Sequence, residues 1–98
     1  MAKPLEEALS EADQLVAQGN LEQACRMLES AYRVSPASIQ QTDLGTKTRL
    51  KMAELHVRLG GIAGKENHWP EARKRALSAL AYNSQSQAAA ELLKKSDE

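Results

Sequence analysis

Apolar residues recur along the first forty positions with a helical period. Leu5, Ala8, Leu9, Ala12, Leu15 and Val16 lie at offsets of 0, 3, 4, 7, 10 and 11, one apolar stripe on an α-helix. Pro4 suits the first turn, where its missing N–H costs nothing. Gly19-Asn20 predicts a stop, with Asn20 as the N-cap of a second helix and Gln23 as its capping-box partner. That second helix carries Leu21, Ala24, Cys25, Leu28, Ala31 and Tyr32, and it ends before Pro36, whose ring disfavours helix at the preceding residue. So short a break predicts antiparallel neighbours, and residues 4–35 read as an αα-hairpin.

The hairpin recurs. A shift of 48 carries Leu21, Ala24, Leu28, Ala31 and Tyr32 onto Trp69, Ala72, Ala76, Ala79 and Leu80, with Cys25 alone falling on a charged residue, Arg73. Pro70 marks the start of this helix as Pro4 marks its own. The preceding helix runs through Met52, Leu55, Leu59, Ile62 and Ala63, with Gly64 and Asn67 supplying the break. A short last helix, Gln87–Lys95, has Ala89, Leu92 and Leu93 on one side. Residues 37–46 stay open between loop and helix. Gly45 disfavours helix there by about 1 kcal/mol relative to Ala, while Asp43 or Thr46 could cap an unusually long one. No β-like alternation competes, so the fold class is all-α.

Composition narrows the function without naming it. The chain has 98 residues, 42% hydrophobic and 27% charged, with one Cys, one Trp, two Tyr and no Phe. This suits one small soluble domain without an internal disulfide framework. Lys+Arg and Asp+Glu are 13 each, which argues against nucleic-acid or membrane binding through bulk charge. The N-terminal residues lack the apolar run of a signal peptide, and a cytoplasmic location is expected.

The repeat resembles the tetratricopeptide repeat family. In a unit of 5–38, Ala12, Gly19, Ala24, Leu28, Ala31 and Pro36 fall where that pattern has small, turn, Ala, large apolar, Ala and Pro. A second unit, 53–86, has Leu59-Gly60, Trp69, Ala72 and Ala79, with Ser84 in place of the proline. Residues 87–95 resemble the capping helix of such arrays, and about 39–52 form an insert. Leu15 and Ala63 replace the usual aromatic of each first helix, and the insert sets the two units further apart than the repeats of a regular array. The resemblance implies a short right-handed superhelix of about five helices in a single domain. It also implies a concave groove, lined by the first helix of each hairpin, that accepts a peptide or helix. Carried over by position, that groove includes Leu9, Asp13, Val16 and Val57. Leu9 and Asp13 stand where chaperone-tail-binding members have their clamp, which argues against that specialised role.

Candidate chemistry is sparse. Gly60-Gly61-Ile62-Ala63-Gly64-Lys65-Glu66 lacks the spacing, the Ser/Thr and the preceding strand of a phosphate loop; close packing at Gly60 and a helix stop at Gly64 are expected instead. Cys25, His56 and His68 do not have metal-site spacing. Cys25 reads as a small core hydrophobe, His68 as an N-cap and His56 as a helix-surface residue. Glu6, Glu7 and Glu11 suit the start of a helix through its dipole. No nucleophile, base and orienter assemble into a site, so no catalytic residue, cofactor or metal is assigned.

Charge is uneven along the chain. Residues 1–43 hold three bases and seven acids, residues 44–75 eight and three, and residues 76–98 two and three. Lys47, Lys51, Arg58 and Lys65 fall within about 40° of one another on a helix, with Glu54 among them. The leading expectation is a non-enzymatic interaction module: an adaptor, assembly factor or small chaperone. It would bind a protein or peptide partner along Leu9, Asp13, Val16 and Val57, with Lys51, Arg58 and Lys65 recruiting an acidic segment. The alternative is a self-assembling scaffold, a homo-oligomer in which the acidic first hairpin meets the basic second one.

Overall fold

A proline at the mouth of a helix and acids in its first turn both favour initiation, and the first helix starts directly after Pro4, with Glu6 and Glu7 in that turn. A computed structural model describes residues 4–97. The fold is all-α, built from α1 (Leu5–Ala17), α2 (Leu21–Val34), α3 (Ala37–Gln40), α4 (Asp43–Lys65), α5 (Trp69–Tyr82) and α6 (Gln87–Ser96). It divides into two compact units, Met1–Met52 and Ala53–Glu98, with the boundary inside α4. No helix of the described residues is long and apolar enough to cross a membrane.

In the first unit α1 packs on α2 as the periodicity predicts. Ala8, Ala12 and Ala24 are wholly buried, and Leu5, Leu21, Cys25, Leu28 and Ala31 are buried around them. Small side chains at the seam let two backbones approach closely, and larger ones fill the space on either side. The turn is a Schellman motif. Gly19 takes a positive φ of 84°, its N–H donates to Val16 O at 2.9 Å, and the Asn20 N–H donates to Leu15 O at 2.8 Å. This motif sets the Asn20 backbone at φ −89° and ψ 63°, away from the extended geometry of a side-chain cap. The expected Asn20–Gln23 capping box therefore does not form, and the Asn20 side chain donates to Gln18 Oε1 at 3.4 Å.

Residues 37–46 resolve into both alternatives at once. They comprise one turn of helix, α3, a short turn and the start of α4. The cap of α4 is neither Asp43 nor Thr46. Thr42 takes the role, its Oγ1 accepting from the Gly45 N–H at 3.3 Å. Gly45 is required at this spot for a second reason, since a Cβ there would collide with the Gln40 backbone.

The second unit repeats the first hairpin at the predicted shift. The first and last residues of α2, Leu21 and Val34, map onto those of α5, Trp69 and Tyr82, and the last residue of α1, Ala17, maps onto that of α4, Lys65. The turn repeats too. Asn67 takes φ 63°, its N–H donates to Gly64 O at 3.0 Å, and the His68 N–H donates to Ala63 O at 2.8 Å. The helix stop is thus Asn67 rather than Gly64. Gly64 is buried, and a Cβ there would sit 3.0 Å from the Trp69 ring, so its place in the sequence reflects close packing. Gly60 is a close-packing glycine as expected: a Cβ would strike Leu92 and stand 3.0 Å from Arg75 Cβ.

Two apolar clusters hold this unit. Ala63, Ala72, Ala76 and Leu92 form one, with Leu93 against it. Ala53, Ala79 and Ala89 form the other, with Val57, Leu80 and Tyr82 against it. α6 starts at a conventional cap, Ser86 Oγ accepting from the Ala89 N–H at 3.2 Å, and ends at Ser96, just past the Lys95 that the periodicity indicates.

Candidate functional site

Leu9, Asp13 and Val16 follow one another along one face of α1, Asp13 exposed and the two apolar residues half-buried. The structure brings Lys51 to this face, its Nζ 3.2 Å from Asp13 Oδ1. A partly exposed pair near the surface contributes roughly 0–1 kcal/mol, but it engages one member of the basic row with the protein's own acid. In the second unit Val57 is half-buried against the Ala53, Ala79 and Ala89 cluster, so much of its surface belongs to the core. Arg58 and Lys65 are exposed, two turns apart on α4.

Charge divides differently by unit and by hairpin. The first unit has six bases and seven acids and the second has seven and six, so the units are close to neutral. The hairpins keep the contrast, with two bases and six acids in residues 5–34 against five and three in residues 53–82. The bases at the start of α4 account for most of the difference in the first unit, and the acids of residues 83–98 for that in the second.

His56 is not on the surface. It is 4% exposed, its ring stacks on Tyr82 with centroids 5.9 Å apart and planes 16° from parallel, and its Nδ1 lies 3.2 Å from an Arg75 guanidinium nitrogen. A guanidinium can only donate, so Nδ1 is the acceptor. Arg75 in turn reaches Glu71 Oε1 at 3.2 Å. The missed signal was the repeat itself, since a shift of 48 puts His56 on Ala8, a position in the buried stripe. His68 is exposed at the α5 N-cap, without a side-chain cap bond and 3.8 Å from Glu66. Cys25 is buried as expected, its Sγ 3.6 Å from Glu29 Oε1.

Sequence reasoning also missed a groove of about 440 Å³ in the first unit. Leu5, Val34, Pro36, Ile39 and Leu44 line it, and Glu6 is the one charged side chain in the wall among the described residues. Val34 is 58% and Ile39 39% exposed, so apolar surface is left open to solvent. The walls are braced by polar bonds. Gln40 Nε2 donates to Tyr32 O at 2.7 Å and Ser35 O at 3.1 Å, closing the end of α2. One Arg49 guanidinium nitrogen donates to the Tyr32 hydroxyl at 2.8 Å and to Gln40 O at 2.7 Å, joining α4 to α2 and α3. Val34 stands off the α2 stripe, and Ile39 and Leu44 have no common period, so only the folded turn at α3 collects them.

Fold and site together define an all-α helical-hairpin protein with a preformed apolar groove. Comparison with protein-family models, with curated proteins and with solved structures gave no match to this chain.

Proposed function

We propose that this chain is a non-enzymatic protein-interaction module, a short tetratricopeptide-like array acting as an adaptor, assembly factor or small chaperone. The observation that carries this reading is the groove of the first unit. A preformed, braced, largely apolar concavity suits the side chains of another polypeptide, and exposed Val34 and Ile39 supply anchoring surface of the kind that single scattered apolar residues do not. The α1 face of Leu9, Asp13 and Val16 and the basic residues Lys51, Arg58 and Lys65 remain parts of the proposed contact surface. Lys51 contributes less than the others because Asp13 already engages it. Val57 contributes through its exposed edge alone.

The test is affinity capture from a cytoplasmic extract, comparing the wild type with Val34→Arg and with Leu9→Ser/Val16→Ser after circular dichroism shows that each folds. The expected outcome is a protein retained by the wild type and lost by Val34→Arg, whose purified form binds the wild type at least about tenfold more tightly than the variant. Identical captures by wild type and Val34→Arg would overturn the groove as the docking site.

A further inference from the structure

The two hairpins have nearly the same element bounds, yet the outer faces of their second helices differ. On α5, residues 70, 73, 74, 77 and 81 share one side at helical spacing. They are Pro70, Arg73, Lys74, Leu77 and Ala81, all exposed, with Leu77 at 47%. The same positions of α2 hold Glu22, Cys25, Arg26, Glu29 and Arg33. There the face is closed on itself, with Arg26 paired to Glu22 at 2.9 Å and Cys25 buried. The α5 face contains no acid, and it presents an aliphatic residue where α2 has Glu29. Arg73 is held by Asp97, while Lys74 has no partner among the described residues.

The groove is complementary to this face. Its lining is apolar apart from Glu6 and Ser35, and Asp43 stands next to the lining residue Leu44. Both acids are exposed and have no partner among the described residues. Arg33 and Lys47 adjoin the groove in sequence, but neither lines it. An aliphatic edge preceded by a lysine matches a largely apolar groove with a carboxylate in its wall, neither charge having a partner among the described residues.

We propose that the groove of the first unit receives the α5 face of a second copy of this chain, with Leu77 and Ala81 in the groove and Lys74 on Glu6. This rests on the groove being a protein-docking site and names its occupant. Lys74 and Leu77 lie one turn apart, about 5 Å along the axis, so both reach their counterparts from one helix. Groove and α5 face are different surfaces, so the contact is heterologous. A bound pair then still has one groove and one α5 face unused, and association continues beyond the dimer unless a ring closes.

Sedimentation velocity over a concentration series at low salt tests this, using the full chain as wild type, Val34→Arg and Leu77→Glu. Both substituted residues are exposed, and circular dichroism establishes that the variants fold. Wild-type mass is expected to rise with concentration past the dimer, with each variant associating roughly thirtyfold or more weakly. An equimolar mixture of the two variants is the decisive sample, because one keeps an intact α5 face and the other an intact groove. The mixture should form a one-to-one dimer and nothing larger. Combining Glu6→Lys with Lys74→Glu in one chain should restore association that each alone weakens. A wild type that stays monomeric, variants that associate unchanged, or a mixture that stays monomeric would each overturn the proposal. If the wild type is monomeric while Val34→Arg still loses a captured protein, the second-copy occupant fails and the groove reading stands. If the captures are also identical, both fail.

Discussion

Gly60 and Gly61 are neighbours in α4 with opposite surroundings. A side chain at Gly60 would meet Leu92, Arg75 Cβ and the Ala72 carbonyl, whereas one at Gly61 would have nothing within 4 Å. Overpacking a tight helix contact costs about 1–3 kcal/mol, and replacing a helical glycine by alanine where the Cβ has open space gains up to about 1 kcal/mol. Gly60→Val should therefore lower the urea midpoint of unfolding and Gly61→Ala should raise it, a difference of sign between adjacent positions. The role of Gly60 was legible in the sequence because the repeat shift carries Ala12 onto it, along a stripe of small residues. The burial of His56 was legible only through the same shift, which sets it on buried Ala8, since polarity alone points such a side chain outward. Its partners Tyr82 and Arg75 belong to the following helix, and no local pattern announces a stack and a charge-assisted bond that form only when α5 folds back.

The turns show what an element requires of its sequence. Gly19 and Asn67 hold equivalent left-handed positions in two turns with the same hydrogen bonds, although their side chains differ. Glycine and asparagine tolerate that backbone, while a side chain such as alanine costs about 1–2 kcal/mol there. Gly19→Ala should destabilise the chain by about that amount in chemical denaturation, whereas Asn67→Gly should change it by less than about 0.5 kcal/mol. The bounds of α1, α2 and α5 followed from stripe, proline and shift, because those signals are local and mutually consistent. The region of α3 could not be settled in that way. Its shape depends on Gln40 reaching back to α2 and on Arg49 reaching across from α4, contacts that span several turns of chain and leave no periodic trace. The groove inherits the same obscurity, since it exists only where that turn places Ile39 and Leu44 beside Leu5 and Val34.

Across the full chain, thirteen bases offset thirteen acids, and the isoelectric point follows at about 6.7. Net charge near zero weakens mutual repulsion and favours association and precipitation. Solubility in polyethylene glycol should pass through a minimum near pH 6.7, and added salt should raise it there if contacts between copies are electrostatic. A minimum insensitive to salt would point to apolar contacts instead. Composition made the neutrality plain at once. The contrast between acidic and basic hairpins was also visible, but its partial cancellation inside the first unit became apparent only when α4 was seen to begin there.

The coincidence of element bounds under a single shift bears on how such a chain could lengthen. A tandem duplication of residues 5–52, inserted after Met52, would set Leu5 where Ala53 now stands. Both are buried apolar positions related by the shift of 48, Leu5 at the start of α1 and Ala53 within α4. The copied segment would begin and end in register with what flanks it, the Schellman turn at Gly19 would be reproduced whole, and no linker would have to be invented. The joint compatible with such a duplication thus lies in the middle of a helix rather than at a loop.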